Sequence, residues 1–171
     1  MVAYHSSNAI LVQPFPSRKD VHLLNAYNII MQRLKDKYLL VDLQVLDNEC
    51  SKEYKKLMRE KWRVTYQLIP PGMHRRNAAE KAIRTFKAHF LAILAGVADH
   101  FPCHLWDLLL SQAELTLNLL RQTSKNPKIS AWEHFNGAFN YNAMPLGPLG
   151  ISVIAHIKPG KRPVMAIMRQ R

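Results

Sequence analysis

The chain has 171 residues, 48% of them apolar, which suits one domain with a sizeable core and excludes a wholly disordered protein. Its 24 Lys and Arg against 12 Asp and Glu give a net charge of +12, favouring a polyanionic partner, most simply nucleic acid or an acidic membrane surface. Two cysteines, Cys50 and Cys103, form no CxxC pair; they exclude a disulfide scaffold and a zinc knuckle and read as reduced, buried thiols. The longest apolar run, Phe90 to Ala98, is about half of a membrane span. The first residues show no cationic stretch followed by an apolar core, so no secretory signal is expected. The expectation is a soluble, basic, intracellular domain.

In chain order, Asn8 to Gln13 is a short apolar run closed by Pro14 and Pro16, as for a buried strand. From Ser17 or Asp20, Val21, Leu23, Leu24, Tyr27, Ile30, Met31 and Leu34 recur at helical steps. Leu40 to Leu46 alternates, with Val41, Leu43 and Val45 on one face and Asp42 and Gln44 on the other, which reads as a strand. Ser51 is a good N-cap for a helix over Lys52 to Lys61, with Tyr54, Leu57 and Met58 on one face. Val64, Tyr66 and Leu68 mark another strand, ended by Pro70-Pro71-Gly72.

A long helix is predicted from Asn77, burying Ile83, Phe86, Phe90, Ile93 and Leu94, with Lys81, Arg84 and Lys87 as a basic stripe at three-residue steps. A second runs from about His104 to Gln122 with Leu105, Leu108, Leu109, Leu115 and Leu119 as its core face. Thr123 to Gly150 is rich in Asn, Pro and Gly, and Ile151 to Ile157 is a further strand candidate. Strands alternating with helices make this an α/β chain with crossover connections and helices flanking a mixed or parallel sheet.

Sites in such sheets gather at the carboxyl ends of strands. That rule points to Asp47-Asn48-Glu49 and to the segment after the third strand, His74-Arg75-Arg76-Asn77-Ala78-Ala79-Glu80. Two carboxylates at neighbouring element ends among cationic residues can hold divalent ions against phosphate oxygens, as in-line phosphoryl transfer requires. The same residues have plain structural roles: Asp47 as a turn or cap residue, Asn77-x-x-Glu80 as a capping box favoured by the helix dipole. Of the eight histidines only His100 and His104 stand at HxxxH spacing, across the helix-breaking Pro102 and with no cysteine pair at zinc spacing, and Trp62, Trp106 and Trp132 read as packing residues.

Leu46-Asp47-Asn48-Glu49, Pro70-Pro71 and the block from His74 through Lys87 resemble the second and third signatures of retroelement integrase cores, DDE enzymes of the RNase H-like fold. The likeness is greatest to copia-type retrotransposon Pol polyproteins. Ser7 to Val12, Leu105-Trp106-Asp107, Gln112-Ala113-Glu114 with Asn118 to Arg121, and Asn126-Pro127 extend it over about Val2 to Lys161. The resemblance implies Asp47 and Glu80 as catalytic, metal-binding carboxylates for Mg²⁺ or Mn²⁺. It also implies contact of Arg75, Arg76, Asn77, Lys81, Arg84 and Lys87 with DNA, possible homo-oligomers, and a nuclear location in a eukaryote. No membrane and no small-molecule cofactor are expected. The expected division is a partial core over 1–145 and a basic extension with one strand over 146–171.

The family's first carboxylate sits on its first strand, and no residue here matches it: Asp20, Asp36 and Asp42 lie in the wrong elements. The resemblance places Met1–Tyr4 at the tail of the second strand, so the core is expected to lack its first strand and most of its second. The expected function is therefore a fragment of an integrase core, weak or inactive alone, in a family that performs Mg²⁺-dependent DNA strand transfer. The alternative is a non-catalytic nucleic-acid-binding or dimerisation module. In that fold the first strand is central, so its absence would leave two sheet fragments with unpaired inner edges. A few large aliphatic side chains at about 1.5–3 kcal/mol each rival a whole domain's stability of about 5–15 kcal/mol. The purified chain is expected to be poorly soluble or to melt without a cooperative transition; a sharp two-state melt of a monomer, by calorimetry, contradicts this.

Overall fold

The structure, a computed structural model, describes residues 2–4, 7–46, 50–70 and 78–148. Strands β1 (Val2–Tyr4) and β2 (Ala9–Leu11) pair antiparallel, with Val2 opposite Leu11. Helix α1 (Asp20–Lys35), strand β3 (Leu43–Leu46), helix α2 (Lys52–Glu60) and strand β4 (Thr65–Leu68) come next, and β3 and β4 pair parallel. Helix α3 (Ala78–Ala95), a 3-10 segment (Cys103–Leu109), helix α4 (Leu110–Leu120) and helix α5 (Ala131–Asn136) complete the described chain. The α/β class is as the sequence indicates. Among the described residues the strands form two separate two-stranded sheets, not one.

Strand β2 is the wall between two cores. Adjacent strand residues point to opposite faces, so Leu11 joins Tyr27, Ile30, Met31, Leu34, Leu46, Tyr54, Met58 and Val64 on the side of α1 and α2. Ile10 joins Ala82, Phe86, Leu110, Ala113 and Leu117 on the side of α3 and α4. The first core also reaches β3 through a polar bridge. The Tyr27 hydroxyl donates to Gln44 Oε1 at 2.9 Å, and Gln44 Nε2 donates to the Tyr54 hydroxyl at 3.2 Å. Burial, the largest cause in each case, pushes both phenols above their ordinary value.

Two helices stop without glycine. After α1, Tyr38 adopts φ 57° while its N–H bonds the Lys35 carbonyl and the Leu39 N–H bonds the Leu34 carbonyl. After α2, Arg63 adopts φ 55° and the Val64 N–H bonds the Met58 carbonyl. The Tyr38 turn has the Schellman hydrogen-bond pair, whereas the Arg63 turn closes with a wider bond, from Val64 back six residues to Met58. At both, the left-handed residue is followed by an apolar one, Leu39 or Val64, that packs on the core.

The outer edge of β2 is closed by side chains of α4. Ile10 N–H donates to Asn118 Oδ1 at 2.9 Å, and Asn118 Nδ2 donates to the Ile10 carbonyl at 2.8 Å, imitating a strand partner. Val12 N–H donates to Glu114 Oε2 at 2.6 Å, and Glu114 is paired with Arg33 of α1. Arg121 grips the Asn8 carbonyl at 2.7 Å and also Asn8 Oδ1. No buried side-chain polar atom lacks a partner among the described residues.

Several sequence readings are corrected. The predicted helix from His104 begins as a 3-10 segment, non-helical at Leu105, which shifts the phase of the residues after it. Its buried face is Leu109, Leu110, Ala113, Glu114, Leu117 and Asn118, with Leu108 exposed. Strand β3 is turned over relative to its pattern: Leu46 is buried and Gln44 half-buried, whereas Leu43 and Val45 are exposed. Val21 and Ile83 are exposed, and Cys50 is half-buried. Helix α5 was missed within the looser segment, although Ser130 and Glu133 form a capping box. The Ile151–Ile157 strand and the basic tail fall outside the described residues, as does most of the 146–171 extension.

Asn118→Ala leaves a buried donor and a buried acceptor of Ile10 without partners, at about 1–3 kcal/mol each. Amide exchange at Ile10 is expected to accelerate at least about tenfold, since about 1.4 kcal/mol is a factor of ten. Unchanged protection at Ile10 contradicts the role given to Asn118.

Candidate nucleic-acid interface

Helix α3 carries the candidate site, and its orientation is set by its apolar side. Ala82 and Phe86 are buried against Leu110, Ala113 and Leu117, with Phe90 and Ile93 packed beside them. Phe86 and Phe90 stack with ring centroids 6.0 Å apart, and Trp106 meets Phe90 edge-on at 6.2 Å. His89 adds a polar tie between the helices: its Nε2 lies 3.0 Å from Thr116 Oγ1, and that hydroxyl donates to the Gln112 carbonyl at 3.0 Å.

With that side held, the opposite one is presented outward. Glu80, Ile83, Arg84, Lys87, Ala88 and Leu91 line one shallow depression of about 460 Å³. Glu80 lies in the first turn of α3, where the helix dipole favours a carboxylate. Glu80, Lys81, Arg84 and Lys87 are all exposed. Of the residues singled out in the sequence, the fold therefore brings together Glu80, Arg84 and Lys87, while Lys81 does not line the depression. Asp47, Arg75, Arg76 and Asn77 lie outside the described residues. β3 ends at Leu46, the residue before Asp47.

Sequence reasoning missed the aliphatic part of this surface. Leu91 is 65% exposed and Ile83, assigned to the core, is 39% exposed. The signal was available for Leu91, which lies at i+4 and i+7 from Lys87 and Arg84 and so on their face. Trp62 packs on the first core and its Nε1 donates to Asn28 Oδ1 at 2.8 Å, whereas Trp106, though edge-on to Phe90, is exposed.

No group of three or more His, Cys, Asp or Glu side chains able to hold a metal ion occurs among the described residues. The described side chains around Glu80 are basic and aliphatic, so by themselves they do not fit a divalent cation. No helix among the described residues is long and apolar enough to cross a membrane. A second cavity, of about 230 Å³, lies between α1, α4 and α5, lined in part by Leu34, Trp132 and Phe135 and by the Arg33–Glu114 pair.

No family model matches the chain, and no curated protein does. Among solved structures, the catalytic core domain of BIV integrase is similar, with a TM-score of 0.54 and 18% identity over 77% of this chain and 80% of that one. The fold is thus that of an integrase catalytic core, as the sequence resemblance implies.

Burial holds the pKa of His89 below its ordinary 6.5. A base depressed in the folded state favours folding where it is neutral, so this contribution is complete above 6.5 and declines as pH falls below it. The α3–α4 contact is expected to loosen in that acid range. Exchange at Phe90 and Ala113 amides should rise on acidification beyond the intrinsic pH effect in the native chain. His89→Gln should remove the excess, and an identical excess in that variant contradicts the assignment.

Proposed function

We propose that this chain is a fragment of a retroelement integrase core of copia type, from a Pol polyprotein, whose intact relatives join DNA ends by Mg²⁺-dependent strand transfer. The observation that carries the reading is the integrase-core fold together with the exposed Glu80, Arg84 and Lys87 on one face of α3. In this reading Asp47 and Glu80 are metal-binding carboxylates for Mg²⁺ or Mn²⁺. Arg84 and Lys87, with Lys81, Arg75, Arg76 and Asn77, meet DNA phosphates, which a chain of net charge +12 attracts. The first carboxylate that the resemblance implies has no counterpart among these residues, so the chain alone joins DNA weakly or not at all. In a eukaryotic host it acts in the nucleus, and its cores pair.

A second reading has its own support. No metal-holding group is assembled among the described residues, while the basic side chains are exposed. That combination suits a non-catalytic DNA-binding or dimerisation module derived from an integrase.

Binding to labelled duplex DNA across a salt series, and joining of DNA ends with Mg²⁺ or Mn²⁺, separate these readings. Each phosphate contact contributes about 0.9 to the slope of log K against log salt. The triple change Lys81→Ala, Arg84→Ala and Lys87→Ala should lower that slope by about 2–3. Metal binding, or any metal-dependent joining however weak, that Glu80→Gln abolishes selects the catalytic reading, and steep DNA binding with neither selects the second. Absence of salt-dependent binding overturns both.

A further inference from the structure

The cavity of about 230 Å³ between α1, α4 and α5 has no part in the DNA reading. Its apolar lining comes from three elements. Leu34 of α1, Leu11 of β2 and Ala131 of α5 are all buried. Trp132 and Phe135, three positions apart on one side of α5, are half-buried and add two aromatic rings. A dry apolar cavity of about 150 Å³ takes up benzene, so this one has room for a six-membered ring with one substituent. It is smaller than the roughly 300 Å³ at which sites for drug-sized ligands begin, which excludes a larger ligand such as a nucleotide.

The polar lining sets the chemistry of an occupant. Glu114 is buried and paired with Arg33, and both line the cavity. An ionised carboxylate accepts about four hydrogen bonds. Glu114 takes three among the described residues, two from Arg33 and one from the Val12 N–H. A guanidinium has about five N–H groups, and Arg33 directs three to Glu114 and the Val12 carbonyl. The pair thus keeps one acceptor position and further donors. The charged groups of the lining also balance, Arg33 and Lys37 against Asp36 and Glu114. A net charge on the ligand therefore gains nothing, whereas a neutral group holding a donor beside an acceptor can use both open functions of the pair.

We propose that this cavity binds a small uncharged aromatic molecule with a donor and an acceptor side by side, the class of aromatic carboxamides and lactam-type heterocycles. The ring is held among Leu34, Trp132 and Phe135, where its burial supplies the driving force. Its polar group meets the remaining positions of Glu114 and Arg33, which fix its orientation as a few placed polar groups do in an apolar pocket. The inference stands on the cavity alone and goes beyond the DNA reading, which concerns α3, so either can fail without the other.

The test uses the full chain and three probes of nearly one shape: benzamide, which is neutral, benzoate, which is anionic, and benzylamine, which is cationic at neutral pH. Titration followed by NMR is expected to show saturable shifts with benzamide at millimolar concentrations, as suits a ligand of so few atoms. Nuclear Overhauser contacts should run from its ring protons to Leu34 and Trp132. Benzoate and benzylamine should each bind at least about tenfold more weakly, a change of about 1.4 kcal/mol. Ala131→Leu puts a larger side chain into the cavity and should remove the binding; if that variant does not fold, the contacts in the native chain decide. No saturable binding overturns the proposal, as does saturable binding without contacts to Leu34 and Trp132. Benzoate or benzylamine binding as tightly as benzamide, or undiminished binding by a folded Ala131→Leu chain, overturns it as well.

Discussion

Strand β2 can sit between two cores only because α4 supplies what a neighbouring strand would otherwise provide. A buried peptide group without a partner costs about as much as the hydrogen bond it loses, and Ile10 is fully buried. The carboxamide of Asn118 meets both needs at once, as donor and acceptor, which no aliphatic residue at that position can do. Glu114 extends the arrangement to Val12 and, through its pair with Arg33, ties α1 to the same edge. Glu114 and Asn118 therefore lie on the buried side of α4. They join α1, β2 and α4 into one unit on which the packing of α3 depends.

That constraint explains why some of the fold was legible in the sequence and some was not. The helical spacing of Tyr27, Ile30, Met31 and Leu34 is local, and those four are buried as the pattern indicates. The buried side of α4 could not be read by hydrophobicity, because two of its members, Glu114 and Asn118, bury polar atoms against a strand over a hundred positions away. The 3-10 segment ahead of α4 changes the angular step per residue, so counting leucines from Leu105 leads to the wrong face. Tyr38 and Arg63 end their helices in a conformation usually signalled by glycine, and a Leu or Val seated on the core supplies the contact instead.

β3 was misread for a related reason. Alternation identifies a strand but does not say which face is covered, and here the Tyr27–Gln44–Tyr54 bridge determines it. Because the amide of Gln44 is held between two phenols, Leu43 and Val45 must face the other way. The inversion thus has a cause inside the fold, and it accounts for the aliphatic exposure beside β3. The outer edge of β2, by contrast, is closed by residues of the same chain.

The candidate site was legible in part, since charge at helical spacing survives any error in assigning the buried face. Glu80, Arg84 and Lys87 share a face by helix geometry alone, once Phe86 is placed in the core. The sequence did not reveal that Ile83 joins that face, because its apolar character placed it inside. Its exposure beside Arg84 distinguishes this surface from an ordinary solvated helix face, on which charges need no aliphatic neighbours. A cation against such neighbours keeps its charge toward solvent while its methylene stem covers apolar surface. A polyanion laid on this side of α3 therefore meets charge at Arg84 and Lys87 and apolar surface at Ile83 and Leu91. The Phe86–Phe90 side holds the helix rigid behind them.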